Sequence, residues 1–249
     1  MNAGRVRGAA WVAGGYLVGA IPAAYLVARA TGARDVLALA SANSSDADAH
    51  LLLAEHAGAA STAVAMAGDV GKAMLVSAAA KRAGVSAGWR ATTAVAVVAG
   101  HAFPPFARRF AGRGLAAAAG VTLVNLPAEM VVAGSALLAG KALGYTGAGS
   151  TVGFASVPAV AAVAGRPRSM VAMGAGVLGV ILARRLVGIA PVAARDGWKR
   201  SVARRLAFDS DDTRSDRRMR RDGSSFFNPP RDTRSGSRDA GLGVPSDRE

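Results

Sequence analysis

Two short runs of sequence concentrate the side chains able to do chemistry. The first is Gly100-His101-Ala102-Phe103-Pro104-Pro105-Phe106, continued by Ala107-Arg108-Arg109-Phe110-Ala111-Gly112-Arg113-Gly114-Leu115. A stretch rich in Val and Ala ends at a histidine and a proline pair, and a basic loop with Gly-Arg-Gly then opens the next apolar stretch. This order sets backbone N–H groups at a helix N-terminus, freed for close approach by Gly112 and Gly114, beside the guanidinium groups of Arg108, Arg109 and Arg113. Groups so placed bind phosphate. A loop that is basic for reasons of topology alone is the other reading of the same residues. The second run is Gly68-Asp69-Val70-Gly71-Lys72, set within apolar sequence. Asp69 and Lys72 are three residues apart, hence on one helix face, where they partly neutralise each other.

A third polar run, from Asp35 to His50, contains Ser41, Asn43, Asp46 and Asp48. Ser41 and Asn43 have the chemistry to hydrogen-bond a substrate, or to cap a helix beginning near Asp46. Asp46, Asp48 and His50 have ligand chemistry for a hard metal, but they lie on one short run without a second group at ligand spacing, so no metal site is expected. The chain has no cysteine, which excludes disulfides, thiolate metal sites, iron–sulfur clusters and a Cys nucleophile.

The elements that must position these residues are membrane helices. The 249 residues are 51% hydrophobic and only 18% charged, with mean hydropathy +0.28, and this falls outside the composition of an ordinary soluble domain. Uncharged stretches recur between basic residues: 8–28, 57–80 interrupted only by Asp69 and Lys72, and 91–107. Each is long enough for the roughly 17 to 25 residues that cross a hydrocarbon core. Further apolar stretches are 114–130, broken by Glu129, then 131–140, 142–165 and 169–183. These are short or interrupted by Gly and Pro, such as Pro127 and Pro158, and are expected as tilted or broken helices packed on neighbours. The fold class is therefore an all-α membrane bundle of five to seven spans, with close contacts through Ala and Gly. The first span lacks an A-x-A cleavage site and is expected to be retained. Intramembrane charges are costly and face a bundle interior or a polar cavity, so Asp69 and Lys72 either line such a cavity or simply tie helices together.

A domain boundary is expected near Ala190. Residues 1–189 hold 16 basic and 6 acidic residues, whereas 190–249 hold 14 basic and 10 acidic ones among Ser, Gly and Pro. That composition is expected to give a basic, largely disordered tail; association of Arg195 to Arg221 with anionic headgroups is the sharper alternative. With seven spans and the N-terminus outside, the inner side carries Arg29, Arg34, Arg108, Arg109, Arg113, Lys141, Arg184, Arg185 and the tail. The outer side then has Arg5, Arg7, Lys81, Arg82, Arg90, Arg166 and Arg168.

Taken in order, these runs resemble the bacterial acyl-phosphate:glycerol-3-phosphate acyltransferases, the PlsY family. Gly15-Tyr16-Leu17-Val18-Gly19-Ala20-Ile21-Pro22 is similar to the family's G-Y-L-L-G-S-I-P, and Gly68-Asp69-Val70-Gly71-Lys72 to its G-D-x-x-K. Gly100 to Phe106 is similar to G-H-x-F-P-x-F, and Ala111-Gly112-Arg113-Gly114 falls where the family has G-G-K-G. The likeness covers roughly residues 9–189. It implies a helical enzyme of the bacterial plasma membrane, with a cytoplasmic tail, that moves a fatty acyl group from acyl phosphate to glycerol 3-phosphate, giving lysophosphatidic acid. The implied partners are those two substrates and membrane lipids, with no cofactor, metal or nucleic acid. Carried over residue by residue, Gly112, Arg113 and Gly114 would hold the phosphate of glycerol 3-phosphate, with Arg108 adding charge. Ser41 and Asn43 would orient substrate, and Asp69, Lys72 and His101 would line the polar cavity, His101 beside the reacting groups.

The chain departs from the family pattern at several of its polar positions. Against I-R-x-x-G-S-G-N-x-G-A-x-N, Leu37 stands for the Arg, Ala40 and Ala42 for two Gly residues, and Asp48 for the last Asn. Ala111 replaces a loop Gly, and Phe110 stands where Lys or Arg is frequent. Where the family has R-H-x-E-N-I, this chain has Arg184-Arg185-Leu186-Val187-Gly188-Ile189. Each lost charge-assisted contact is worth about 2 to 4 kcal/mol of transition-state stabilisation. A catalytically silent member that acts as a membrane binding or assembly protein is therefore the alternative function. A transporter is a weaker one, since no inverted repeat is visible in the hydropathy.

Overall fold

The structure is a computed structural model, and it describes residues 3–33, 49–106, 112–187 and 197–207. Every regular element among the described residues is an α-helix: α1 (Ala3–Gly19), α2 (Ala23–Ala30), α3 (Ala49–Arg82), α4 (Ala87–Ala102) and α5 (Leu115–Asn125). These are followed by α6 (Pro127–Leu143), α7 (Thr146–Val163), α8 (Arg168–Leu186) and α9 (Trp198–Ala207). All lie in one compact unit, residues 1–212.

The long helices alternate in direction. At one end of the bundle, the start of α1 meets the end of α3 and the start of α4. There the Arg7 guanidinium donates to the Ala83 carbonyl, and Gly8 lies against the Trp89 ring. At the other end, Gly100 of α4 approaches the Tyr16 carbonyl of α1 so closely that a Cβ would sit 2.0 Å from it. The α5 helix starts at this second end and crosses α3 at Gly120, against the Val70 carbonyl. The α6 and α7 helices form a tight antiparallel pair through Gly140 and Gly149, and α8 returns beside α7 at Gly174 and beside α4 at Gly176. Small residues thus let the helix axes approach, as weakly hydrophobic membrane helices require.

The buried centre comes from Val97 and Val98 of α4, Ala117, Ala118 and Val121 of α5, Val157 of α7, and Met173, Val177 and Ile181 of α8. Leu75, Val131, Leu138 and Val163 point outward, where hydrocarbon tails would solvate them. Among the described residues, four segments are long and apolar enough to cross a membrane, fewer than the five to seven expected: Ala3–Ala30, His56–Arg82, Thr146–Val163 and Arg168–Leu186. The α5 helix has 11 residues, about 16 Å of rise against a core of about 30 Å. Consistent with that shortfall it is buried among α3, α4 and α8, so its polar ends are shielded by protein. The protein is a multi-pass membrane bundle.

Helix boundaries differ from the expected ones for identifiable reasons. The first stretch breaks at Pro22, which has no N–H to continue α1 and instead precedes α2. The break expected around Glu129 lies at Leu126, because Pro127 occupies the first turn of α6, where a missing N–H costs nothing. Pro158 was expected to interrupt its helix, yet α7 runs through it. The α3 helix is one run only nominally, since Gly58 at φ 81° kinks it into an arm, 49–57, and a long membrane helix. The expected boundary near Ala190 falls in the undescribed stretch 188–196. Beyond it, α9 is helical and seats Ser201 against the bundle, an ordered contact that composition did not reveal.

At the first end, the fully buried Glu129 pairs with Arg166 of the α7–α8 turn, Oε1 to Nε 2.8 Å. This ion pair ties the start of α6 to the turn and takes no part in the polar site, which lies at the opposite end.

Candidate functional site

Asp69, only 1% exposed, is the centre of the polar site. Its two carboxylate oxygens gather three nitrogens from three segments. Lys72 Nζ lies 2.7 Å from Oδ1, one helical turn along α3, as the spacing of the two residues requires. His101 Nδ1, from the last turn of α4, lies 3.3 Å from the same oxygen, and His50 Nε2, from the arm before the Gly58 kink, lies 3.0 Å from Oδ2. Lys72 also donates to the Ile21 carbonyl, a group that stands next to Pro22 where α1 ends, and its Nζ is 3.3 Å from His101 Nδ1. A buried carboxylate is tolerable only with such a set of donors.

His101 connects this cluster to the basic loop. Its Nδ1 faces Asp69 and Lys72, so Nε2 is the nitrogen turned toward Gly112. A Cβ at Gly112 would sit 2.0 Å from Nε2, and Gly112 N–H donates to the His101 carbonyl at 3.3 Å. The loop therefore lies directly on the imidazole, and only glycine permits it. Two residues later, Gly114 adopts φ 87°, a left-handed conformation that side chains disfavour, and caps the start of α5 beside Val98 and Ile181. Arg184 Nε reaches the Gly112 carbonyl at 3.4 Å, and the half-buried Arg113 stands close enough to Arg185 for their charges to act on each other. Arg185 is itself buried and donates to Ser150 Oγ at 2.6 Å. The Tyr16 hydroxyl donates to the Phe103 carbonyl at 2.7 Å and fixes the exit of α4.

Of the residues singled out in the sequence, Asp69, Lys72, His101 and Gly112 come together, and Arg113 and Gly114 follow on the same loop. Ser41, Asn43 and Arg108 lie outside the described residues. Sequence reasoning did not foresee the pairing of His50 with Asp69, nor the Arg185–Ser150 contact. His50 is 19 residues from Asp69 across the Gly58 kink, and no local spacing signals that approach. Arg185 stands at the place of a family histidine, which marked the position but not its partner.

A family model for glycerol-3-phosphate acyltransferase matches residues 9–193. The chain belongs to that family. The bundle is also similar to two crystal structures of PlsY (YgiH), an integral membrane glycerol 3-phosphate acyltransferase. The first, the glycerol 3-phosphate form, has a TM-score of 0.63 and 21% identity, over 76% of this chain and 92% of that one. The second, the lysophosphatidic acid form, has a TM-score of 0.62 and 22% identity over the same shares. At these identities the likeness establishes the fold. The family match runs from within α1 to beyond α8, takes in the whole of the Asp69 cluster and the basic loop, and stops before α9. The family is one of acyltransferases, and this member keeps the family's G-D-x-x-K and G-H-x-F-P runs at the two positions that meet in space.

Proposed function

We propose that this protein transfers a fatty acyl group from acyl phosphate to glycerol 3-phosphate, releasing inorganic phosphate and giving lysophosphatidic acid. The observation that carries this reading is the contact of the Gly112 loop with His101 on Asp69 and Lys72, within a chain of the glycerol-3-phosphate acyltransferase family. An acyl phosphate already has a good leaving group, so the protein need not form a covalent intermediate. It has to hold a hydroxyl in line with the acyl carbonyl and stabilise the negative charge that develops there.

Arg113 and the N–H groups at the start of α5 hold the phosphate of the acceptor, with Arg108 adding charge and Gly112 and Gly114 allowing the backbone to approach. The acceptor hydroxyl oxygen then bonds to the acyl carbon, and the bond from that carbon to the phosphate oxygen breaks. His101 Nε2 faces the loop and takes the hydroxyl proton, while Asp69 stabilises the resulting imidazolium. Lys72 offsets the Asp69 charge in the resting site. Ser41 and Asn43 orient the substrate. The enzyme sits in the bacterial plasma membrane with the site end and the tail on the cytoplasmic side, where one aqueous opening serves all the polar groups.

The substitutions Leu37, Ala40, Ala42 and Asp48 in the first family motif support a second reading, a silent member that retains acceptor binding. Purified protein in detergent, supplied with acyl phosphate and labelled glycerol 3-phosphate, separates the two. Labelled lysophosphatidic acid above a boiled control is the expected result. Heat of glycerol 3-phosphate binding without product would establish the silent reading, and neither product nor heat would remove both.

A further inference from the structure

The α9 helix lies outside the family match, which ends at residue 193, and so it is an addition to the family body. Its sequence, Trp198-Lys199-Arg200-Ser201-Val202-Ala203-Arg204-Arg205-Leu206-Ala207, contains four cations and no acidic residue. It packs on α7 and α8. Ser201 is buried, Val202 and Leu206 are half-buried, and the Thr151 hydroxyl of α7 reaches the Leu206 carbonyl at 3.4 Å. Thr151 adjoins Ser150, the partner of Arg185, and α7 begins at the site end of the bundle. The contact thus holds α9 at that end, where the spans α7 and α8 meet the edge of the bilayer. Trp198 and Ala203 are exposed there rather than packed on protein.

We infer that α9 is an interfacial helix whose outward surface docks on anionic lipid headgroups. Three features select that occupant. The helix is short and polar on average, so it cannot enter the hydrocarbon core. A tryptophan at its first turn suits the headgroup layer, where an amphipathic ring is stable. Lys199 is exposed, and the sequence of the helix adds three arginines and no carboxylate, so its charge complements a surface of phosphate esters, to which each nearby cation adds attraction. Because the body is already anchored by its spans, α9 pays no separate entropy of association, and a modest attraction per cation is enough to hold it down. The inference does not depend on acyl transfer, and it stands or falls separately from that function.

The chain has no native cysteine, so Ala203→Cys gives a single labelling site on the exposed side of α9. The full-length protein carrying a spin label there is placed in bilayers of phosphatidylcholine alone and in an equal mixture of phosphatidylcholine and phosphatidylglycerol. Collisions of the label with a water-soluble nickel chelate are then measured. The expected result is a loss of collisions in the anionic bilayer, reversed by 1 M salt, at which the Debye length shrinks to about 3 Å. Replacing Lys199, Arg200, Arg204 and Arg205 together by Gln should abolish the difference between the bilayers. Equal collision rates in the two bilayers at low salt, for the unneutralised helix, would overturn the inference. So would a difference between bilayers that salt leaves unchanged. The salt titration needs no charge variant, so it remains decisive even where the Gln variant does not fold.

Discussion

Gly112→Ala tests whether the basic loop works through its contact with His101. The added Cβ would lie 2.0 Å from His101 Nε2, 2.7 Å from Cε1 and 2.9 Å from Cδ2, whereas ordinary contacts begin at 3.4 Å. Loop or ring must therefore withdraw by about 1.4 Å along that line. The ring is buried and backed by Asp69 and Lys72, each about 3.3 Å from Nδ1, and the loop is tied by its own N–H to the His101 carbonyl. Neither can move without breaking an existing contact. Loss of one hydrogen bond to a charged group costs about 1.5 to 3 kcal/mol, or roughly 10- to 150-fold. A misplacement of about 1 Å at the reacting groups has a comparable effect, near 10²-fold on rate. We predict a fall in kcat/KM for glycerol 3-phosphate of about 100-fold, measured with labelled acceptor, with detergent-solubilised Tm lowered by about 3 to 12 °C and the protein still folded at assay temperature. Gly179→Ala is the control, because a Cβ there meets nothing within 4 Å and removes only backbone freedom. Activity of Gly112→Ala within about threefold of the control would refute the argument, since a clash of this size would then have been absorbed without consequence to the site.

The remaining predictions address charge and topology. Arg113→Ala should raise the glycerol 3-phosphate Kd by roughly 10- to 150-fold through loss of a charge-assisted contact; calorimetry showing equal affinities would remove Arg113 from the phosphate site. Asp69→Asn leaves the partly buried Lys72 without its carboxylate, and should lower stability by about 1 to 3 kcal/mol, read as a loss of Tm or of folded yield. For the pair at the opposite end, Arg166→Ala should destabilise more than Glu129→Gln. Glu129 is fully buried whereas Arg166 is 41% exposed at its side chain, so an abandoned carboxylate stays in low dielectric while an abandoned guanidinium turns to water. Equal Tm values for the two variants would contradict that asymmetry. A cysteine introduced at Ser235 should stay unlabelled by an impermeant reagent in intact cells, and labelling there would reverse the proposed orientation.

The helical membrane class was readable because hydropathy records the solvent each segment meets, and that solvent is set locally; the count was not, since five to seven spans were expected and four described segments are long and apolar enough to cross. The pairing of Asp69 with Lys72 was readable for a similar reason, since three residues make about one turn. The ends of helices were less so. Pro127 and Pro158 have the same side chain, and only their position relative to the end of a helix decides that one opens α6 and the other sits within α7. The hydrophobic signal says nothing of that position. The α9 helix was hidden by composition, since its Arg and Ser content matches the tail around it, and its order comes from long-range seating on α7 rather than from its own sequence. His50 was hidden more deeply. Its approach to Asp69 depends on a positive φ at Gly58, and a glycine in an Ala-rich stretch gives no sign of which way the chain will turn.

The sequence left two readings of the Asp69–Lys72 pair open, a tie between helices or the lining of a cavity, and the structure shows the tie. Lys72 reaches the Ile21 carbonyl where α1 ends, Asp69 accepts from the arm of α3 through His50, and both meet His101 of α4. The contacts that hold these segments together are the same ones that set the imidazole against the Gly112 loop. A buried ion pair is a weak source of net stability, because desolvation consumes most of its Coulomb attraction. An apolar trio of similar volume would tie the helices at least as well. What such a trio could not do is turn one imidazole nitrogen toward a backbone loop that only glycine can bring within contact. The retention of a costly polar cluster at the one place where the bundle meets that loop is the argument that the cluster serves chemistry as well as packing.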